Sequence, residues 1–394
     1  MYHRPAMRRV YLDHSATSPA LQEVVQAVRE VLEHVHGNPA SLHRLGLEAE
    51  RVLQASRQTV AAALGANPEE VVFTSGGTEA NNLAVFGTVW ARRKPHVVVS
   101  SFEHSSVLEP VRRLREQGVE VDFCSVDREG FVRLDALADL LRPHTALVSV
   151  MLVNNEVGTV QPVAEVARLL DEAQERWGRR PLLHTDAVQA FAHVPFRVGD
   201  LRADLLTVSA HKLGGPKGVG ALYVRRGVRL QPLILGGDQE RGLRGGTPNL
   251  AGIAGFSAAV RFWERAGDGL RARLRELWHR LRQALEPLGG LRWNTPSDAL
   301  RTAPHILNVS VPGVRGEVLV HRLEREGVYV STGSACHSRK SRPSHVLLAM
   351  GRSEQEASSA VRVSLGPDTT EEDVANAAEA FRVSLEDLRF LVPS

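Results

Sequence analysis

Lys212 is the residue whose type and surroundings point most directly to covalent chemistry. It follows the apolar run 205–208 and enters a turn that contains four glycines. This pattern predicts a buried strand that delivers a lysine into a tight turn. The chain has only four lysines among 48 basic residues, and two of the four lie in this turn. A desolvated lysine amine can form a Schiff base, which arginine does not do at neutral pH. We therefore expect Lys212 to carry a carbonyl cofactor, pyridoxal 5'-phosphate (PLP), and the alternative is a solvated loop lysine.

Two further stretches match what such a cofactor requires. Asp186 closes the predicted strand 182–185, and a carboxylate there would keep the pyridine nitrogen of PLP protonated, making the ring an electron sink. Gly77 and Thr78 stand where a strand turns into a helix, a geometry in which backbone amides and a helix N-terminus bind phosphate. No GxGxxG spacing and no Gly-Lys-Ser/Thr sequence accompanies them. A helix-capping aspartate and an ordinary glycine turn are the competing interpretations.

Four more side chains are candidates for proton transfer, nucleophilic attack and substrate binding. His104 lies just past the carboxyl end of a predicted strand, where open α/β sheets bind ligands. Asn155 also follows a strand and suits a carboxylate or a phenolic oxygen, although an Asx turn would use the same residue. Cys336 lies among serines, a glycine and basic residues, which favour its thiolate and predict a mobile nucleophile. Arg362, in a predicted strand, suits bidentate binding of a substrate carboxylate.

Alternating strands and helices position these residues, and an α/β fold is expected. Strands are predicted at 10–12, 71–74, 97–101, 119–124, 146–153, 182–185, 205–208, 219–224 and 361–366. Helices are predicted at 20–35, up to about residue 64, and at 108–117, 270–285, 316–326 and 371–388. Runs typical of a β-hairpin lie near 306–311 and 327–331. The glycine- and arginine-rich loop 236–248 can present hydrogen-bond donors to an anion across a subunit boundary.

Composition limits the classes of function that remain. The 394 residues suffice for two domains, and 43% hydrophobic with 24% charged residues is typical of a soluble globular protein. A net charge of +3 without a basic block does not favour direct nucleic-acid binding. We expect a cytoplasmic protein, because there is neither a membrane-length apolar run nor a signal peptide. Two cysteines cannot build a disulfide scaffold, and Cys124 is expected to be structural. His34, His36 and His43 lack a ligand spacing, so no metal site is expected.

Taken together, these stretches resemble the cysteine desulfurases, PLP enzymes with the class V aminotransferase fold. The resemblance is carried, in order, by YLDHSAT, NPASLHRLG, FTSGGTEANN, FEHSSV, NNEVGTVQP, HTDAVQA, SAHKLGGPKGVGALYV, GGDQERGLRGGT, STGSAC and VRVSLG. STGSAC is similar to the group with a longer, mobile cysteine loop. The chain departs from the common pattern at His14-Ser15, where two asparagines are more usual, and at Thr332, where serine is.

The resemblance implies a fold-type I architecture and a role for each candidate residue. A large domain, 16–260, would contain a mixed, mostly parallel seven-stranded sheet, and a smaller α+β domain would comprise 1–15 and 261–394. Lys212 would hold PLP as a Schiff base and Cys336 would take the sulfur. His104 would stack on the pyridine ring, Asp186 would hold its nitrogen and Gln189 its phenolic oxygen. Phosphate binding is implied for Gly77, Thr78, Ser209 and His211, binding of the partner subunit's cofactor phosphate for Thr247, and substrate-carboxylate binding for Asn155 and Arg362.

The implied activity is conversion of L-cysteine to L-alanine by a homodimer. Lys212 would remove the Cα proton, with Lys212 or His104 in the later proton path, and a persulfide would form on Cys336. The sulfur would pass to an iron–sulfur scaffold or to a sulfur carrier for tRNA or cofactor thiolation. Two alternatives, a selenocysteine lyase and a class V aminotransferase, need Lys212 but no cysteine at 336. A non-catalytic iron–sulfur scaffold is disfavoured because two widely separated cysteines cannot supply four thiolates.

Overall fold

The computed structural model describes residues 9–333 and 343–388 of the chain. The strands are β1 (Val10–Tyr11), β2 (Val71–Thr74), β3 (His96–Ser100), β4 (Glu120–Cys124), β5 (Thr145–Ser149), β6 (Leu182–Asp186), β7 (Leu205–Ser209), β8 (Gly220–Val224), β9 (Arg292–Trp293), β10 (Ile306–Ser310), β11 (Val328–Tyr329) and β12 (Ala360–Ser364). The helices are α1 (Gln22–His34), α2 (Arg44–Leu64), α3 (Gly77–Trp90), α4 (Ser105–Glu116), α5 (Leu134–Leu140), α6 (Val163–Trp177), α7 (Val198–Leu201), α8 (Leu250–Leu285), α9 (Gly316–Arg325), α10 (His345–Ala349), α11 (Glu354–Ser358) and α12 (Glu371–Asp387).

A seven-stranded sheet in the order β2-β8-β7-β6-β5-β3-β4 forms the centre of the molecule. Only β8 runs against its neighbours, so the prediction of a mixed, mostly parallel sheet is confirmed. Its parallel strands are apolar because helices cover both faces of such a sheet. The carboxyl ends of β2, β3, β6 and β7 therefore meet at one edge. The stretches with candidate site residues begin at this edge.

A second, antiparallel sheet is built from β9, β10 and β12, in which Asn308 of β10 pairs with Arg362 of β12. The two runs that suggested a β-hairpin do not pair with each other. β10 pairs with β12 and β9, whereas β11 pairs in parallel with β1 from the other end of the chain. Alternation along a strand shows that the segment is extended but does not specify its partner. The domain boundaries inferred from the sequence stay a prediction.

Several elements differ in length from the prediction. Strand β5 ends at Ser149, and residues 150–153 continue toward the site as irregular chain. Helix α8 extends from Leu250 to Leu285 and is interrupted at Gly267, whose φ of 54° lies in the left-handed region. The first part of α8 is buried on nearly all sides, so its sequence does not alternate between apolar and polar residues with a helical period. For this reason only the later part of the helix was predicted. Within 9–333 and 343–388, no helix combines the length and apolar character needed to cross a membrane.

Candidate active site

A cavity of about 290 Å³ opens at the edge of the sheet where β2, β3, β6 and β7 end. Ten of the predicted site residues line it: Gly77, Thr78, His104, Asn155, Asp186, Gln189, Ser209, His211, Lys212 and Arg362. Thr247 does not line it and is exposed on the loop before α8. Cys336 lies outside the described residues. The fold thus brings together residues from six separate segments of the chain in one concave space.

Lys212 lies in a single 3₁₀ turn, Ala210–Leu213, directly after β7. Gly214 ends the turn with φ of 76°, and a Cβ there would lie 2.8 Å from Leu21 Cγ. The lysine Nζ donates hydrogen bonds to the carbonyl oxygens of Ser15, at 2.6 Å, and Ala16, at 2.7 Å. The loop after β1 therefore forms part of the wall around the amine. Sequence reasoning left the role of this loop open because its contacts are with residues nearly 200 positions away.

Asp186 is the last residue of β6 and is buried beside the cavity. Its Oδ2 accepts a hydrogen bond of 2.7 Å from Asn81 Nδ2, and its Oδ1 accepts one of 2.9 Å from the Val188 backbone N–H. Asn81, on α3, also donates to Ser106 Oγ at 2.8 Å. These bonds hold the carboxylate in one orientation. The carboxylate thus both caps a local turn, as one interpretation predicted, and faces the cavity.

The start of α3 and the end of β7 form a cradle with the chemistry of an anion site. Helix α3 begins at Gly77, so its first backbone N–H groups have no partner within the helix and carry the positive end of the helix dipole. A Cβ at Gly77 would lie 2.9 Å from Val188 Cγ2, so only glycine fits there without displacing a neighbour. Ser209 Oγ is buried without a hydrogen-bond partner in the described part of the chain. The cradle can therefore supply several donors to one phosphate group.

Two histidines of the cavity wall are held in defined orientations. His104 caps α4, and its Nδ1 accepts the Ser106 backbone N–H at 3.1 Å, so the neutral ring carries its proton on Nε2. His211 Nδ1 lies 3.2 Å from Thr17 Oγ1. Burial, with Lys212 and Lys217 adding in the same direction, lowers the pKa of His211 to about 4. His211 is thus neutral at physiological pH and contributes hydrogen bonding rather than charge.

Arg362, on β12, presents an oriented guanidinium to the cavity from the antiparallel sheet. Its Nη2 donates to Asp13 Oδ1 at 2.9 Å, and its Nη1 donates to the carbonyl oxygen of Asn155 at 2.8 Å. The arginine side chain is only 3% exposed, and its Nε has no hydrogen-bond partner among the described residues. Asn155 Oδ1 is likewise buried and unpartnered there. A small carboxylate would find both a held cation and an amide at this point.

The residues present fit PLP. Buried polar atoms in native proteins nearly always have partners. Here Ser209 Oγ and Asn155 Oδ1 have none among the described residues, although both residues line the cavity. A phosphorylated ring bound between the α3 cradle and Asp186 would occupy this space, within reach of the Lys212 turn. The donor set, the buried carboxylate and the lysine are the three features that such a cofactor needs.

Some residues of the site were missed by sequence reasoning. Asp13, the Ser15 and Ala16 carbonyls, Asn81 and His345 all touch the predicted residues or line the cavity. Asn81 had a usable signal, because it follows Gly77 by one helical turn and must share its face. The others had none, since their partners are distant in the chain.

Comparison with known proteins extends over the whole chain. Residues 10–376 match the model of the aminotransferase class-V family. The chain is 41% identical to the cysteine desulfurase IscS of Dictyoglomus turgidum, covering 98% of this chain and 97% of that protein. It is 40% identical to the putative cysteine desulfurase IscS 1 of Bacillus subtilis, covering 95% and 97%. A solved NifS-like protein superposes with a TM-score of 0.89 at 37% identity, covering 98% of this chain and all of that one.

Proposed function

The chain belongs to the class V aminotransferase family as a PLP-dependent cysteine desulfurase, and on this premise we propose that its described cavity binds PLP and L-cysteine while Cys336 accepts the sulfur. The observation that carries the proposal is the convergence of Lys212, Asp186 and Arg362 on one cavity. Together these three supply a covalent anchor, a partner for a ring nitrogen and a carboxylate site. The products would be L-alanine and a persulfide.

Different residues around the cavity would bind different parts of the cofactor. Bound PLP supplies an electron sink for the electron pair left at the substrate Cα. Asp186, oriented by Asn81, would hold the pyridine nitrogen, and Gln189 the phenolic oxygen. His104 would lie against the ring. The α3 N-terminus at Gly77 and Thr78, with Ser209 and His211, would bind the phosphate.

Residues of the same cavity wall would also bind the substrate and transfer protons. Arg362, held by Asp13 and the Asn155 carbonyl, would bind the carboxylate of L-cysteine through a charge-assisted pair. The Lys212 amine would take the Cα proton. The carbonyl oxygens of Ser15 and Ala16, which now accept from Nζ, would keep this amine on the wall after its release from the cofactor. Lys212 or His104 would return a proton to the product.

Sulfur transfer would occur at Cys336. Its thiolate attacks the substrate Sγ, a sulfur–sulfur bond forms, and the Cβ–S bond breaks. The electron pair of that bond stays with Cβ, which takes up a proton and becomes the methyl group of alanine. The sulfur leaves as a persulfide on Cys336 for transfer to an acceptor, either an iron–sulfur scaffold or a sulfur carrier.

The proposal extends to assembly and location. A homodimer in the cytoplasm is proposed, divided into the large domain 16–260 and the small domain 1–15 and 261–394, with Thr247 reaching the cofactor phosphate of the partner subunit. In support, Thr247 is exposed rather than in its own chain's cavity, and two adjacent apolar residues directly before its loop, Ile234 and Leu235, are 40% and 81% exposed. Adjacent exposed apolar side chains form the kind of surface patch that a partner subunit covers.

Two variants test the assignment of Lys212 and Cys336. Lys212→Ala should lose the visible absorption of the Schiff base, because no other described lysine lines the cavity. Cys336→Ala should keep that absorption but make no alanine from cysteine, since the sulfur has no acceptor. Mass spectrometry of the wild type after cysteine treatment should show a persulfide on Cys336.

Cys124→Ala is the matched control. Cys124 is buried at the end of β4, and burial raises the pKa of its thiol to about 12, so it stays protonated and unreactive. Its loss should leave turnover unchanged. Full turnover in Cys336→Ala would contradict the desulfurase mechanism and favour a selenocysteine lyase or an aminotransferase. An unchanged spectrum in Lys212→Ala would contradict the cofactor assignment.

A further inference from the structure

Glu103 is a buried carboxyl beside the site to which the mechanism assigns no role. It lies in the turn between β3 and α4, directly before His104, and is 0% exposed. Its Oε1 accepts two hydrogen bonds, from Ser100 Oγ at 2.5 Å and from the Met151 backbone N–H at 2.6 Å. Its Oε2 is buried and has no hydrogen-bond partner in 9–333 or 343–388. Burying a carboxyl with one oxygen unpartnered costs free energy, so its presence here requires an explanation.

The hydrogen bonds of Glu103 connect its turn to the neighbouring elements. Ser100 ends β3 and Met151 follows β5, so Glu103 ties two neighbouring strands together just beyond their last ladder bonds. Its carbonyl oxygen lies 2.9 Å from His345 Nε2, which must be the donor because a carbonyl only accepts. The turn that presents His104 to the cavity is thereby held from the sheet side and from α10.

The charge around Glu103 disfavours its ionised form. Burial raises the pKa of Glu103 to about 8, and the negative charge of Asp186 on β6 adds to the increase, whereas the bonds from Ser100 and Met151 oppose it. Titratable groups on the neighbouring elements also include His104, His345 of α10, His96 of β3, Asp122 and Cys124 of β4, and His184 of β6. The pKa of Cys124 is raised to about 12 and that of His184 lowered to about 3, both by burial, so both are neutral near pH 8.

We propose that Glu103 is a positioning residue that acts in its neutral form, fixing the His104 turn without placing a second negative charge near Asp186. A carboxylate at this position would repel the Asp186 carboxylate and so disfavour the charged form of Asp186 that is to hold the ring nitrogen. The inference rests on the proposed function only for assigning His104 and Asp186 to the cofactor.

Ionisation of Glu103 should therefore be visible in the cofactor site itself. As the pH rises through about 8, the carboxyl loses its proton inside a dry pocket. The new charge disfavours the packed arrangement of the turn and alters the potential at Asp186. The visible circular dichroism of bound PLP reports its asymmetric surroundings, so it should change with the same midpoint.

Infrared difference spectroscopy between pH 7 and pH 9 on the PLP-bound protein tests the ionisation directly. Exposed carboxyl groups are ionised throughout this range, so a protonated-acid carbonyl band lost on raising the pH must come from a carboxyl with an elevated pKa. We expect this band in the wild type, and we expect it to be absent from Glu103→Gln. Ser100→Ala removes one bond that favours the carboxylate, so its midpoint should move to higher pH.

Circular dichroism of the bound cofactor then tests the positioning role. The wild-type signal should change between pH 7 and pH 9, and the signal of Glu103→Gln should lose that component, because the amide keeps the shape and an acceptor oxygen but cannot ionise. Absence of the infrared band in the wild type, or identical dichroism titrations for the two proteins, would overturn the proposal. Neither measurement requires sulfur transfer, so failure of the desulfurase assignment would appear separately, in the Cys336 experiments. If Glu103→Gln does not fold, the shifted midpoint of Ser100→Ala carries the test.

Discussion

At the scale of single residues, the orientation of a side chain in the cavity wall depends on partners that are distant in the chain. Arg362 is buried, and Asp13 is the carboxylate that its guanidinium contacts, 349 positions away. The other hydrogen bonds of its guanidinium, to the carbonyl oxygens of Asn155 and Gly333, are to neutral groups. Asp13 therefore both neutralises Arg362 and sets the direction in which its remaining N–H groups point.

Replacing Asp13 by Asn should raise KM for cysteine more than it lowers kcat. The neutral amide keeps the size but weakens a charge-assisted hydrogen bond, so the guanidinium loses its fixed orientation. A hydrogen bond to a charged group contributes about 1.5–3 kcal/mol, so weakening it should raise KM by up to roughly 10-fold. Steady-state kinetics with the PLP-saturated enzyme measure both constants.

Asp368→Asn provides the matched control for this change. Asp368 is also a carboxylate near the N-terminal loop, at 3.3 Å from His14 Nε2, but its side chain is 62% exposed and bonds nothing on Arg362. Its kinetic constants should equal those of the wild type. An Asp13→Asn enzyme with unchanged KM would show that Arg362 does not need this partner to bind cysteine.

At the scale of elements, the loop 236–248 is held by a buried ion pair. Arg57 of α2 meets Glu240 through two bonds of 2.7 Å, and Glu240 Oε2 also accepts the Phe73 backbone N–H at 2.9 Å. Glu240 and Arg241 both adopt left-handed backbone, with φ of 47° and 57°, which costs non-glycine residues energy. The ion pair and its bonds to β2 offset that cost and fix the loop that carries Thr247.

Arg57→Met should therefore lower the stability of the fold markedly. The change leaves Glu240 buried without its cation, and breaking a buried pair from one side costs about 3–5 kcal/mol in the free energy of unfolding. Urea unfolding of the PLP-saturated proteins measures the difference. Arg29→Met on α1 is the control, because its pair with Glu33 is exposed and should contribute less than about 1 kcal/mol. Equal effects of the two substitutions would contradict a structural role for the buried pair.

At the scale of the whole molecule, three buried histidines meet where the N-terminal loop, the chain after β6 and the chain before β10 come together. The rings of His193 and His305 stack with centroids 3.9 Å apart. Both ring nitrogens of His305 lack hydrogen-bond partners among the described residues. Burial lowers the pKa of His193 to about 3, lowers that of His305 well below its usual value, and lowers that of His14. The fold therefore accommodates His193 and His305 as neutral rings at neutral pH and disfavours the charged form of His14.

This cluster should make the protein sensitive to acid. Below about pH 6.5 the histidines of the unfolded chain take up protons that the folded chain does not bind, so the free energy of unfolding falls as the pH falls. Each such histidine contributes about 1.4 kcal/mol per pH unit once the pH is well below 6.5. His305→Leu should flatten the decrease in Tm between pH 7 and pH 5.

His321→Leu is the control for this measurement. His321 lies on α9 with its side chain 77% exposed, and its replacement should leave the pH dependence of Tm parallel to that of the wild type. Differential scanning calorimetry at matched PLP concentration compares the three proteins. A His305→Leu curve that also runs parallel to the wild type would show that the buried cluster does not take part in acid unfolding.

Most of the strands and the family could be predicted from the sequence because both depend on local information. A few neighbouring residues suffice to predict the local geometry in three places: the apolar run before Lys212, the glycines at the start of α3 and the aspartate that ends β6. Parallel strands must also place their carboxyl ends at one edge, so the meeting of Lys212, Asp186, Gly77 and His104 followed from the order of elements. The lengths of β5 and α8 did not follow, since burial on all sides removes the periodic pattern.

The amino-acid sequence alone determined the fold class, the PLP chemistry and the identity of ten of the twenty residues that line the cavity. Only the tertiary structure decided which groups orient them: Asp13 on Arg362, the Ser15 and Ala16 carbonyls on Lys212, and Asn81 on Asp186. It also decided that β11 pairs with β1 and that Glu103 is buried close enough to Asp186 to be affected by its charge. The physical reason is that residue type and spacing act over a few positions, whereas burial, partner choice and the electrostatic field depend on segments brought together by folding.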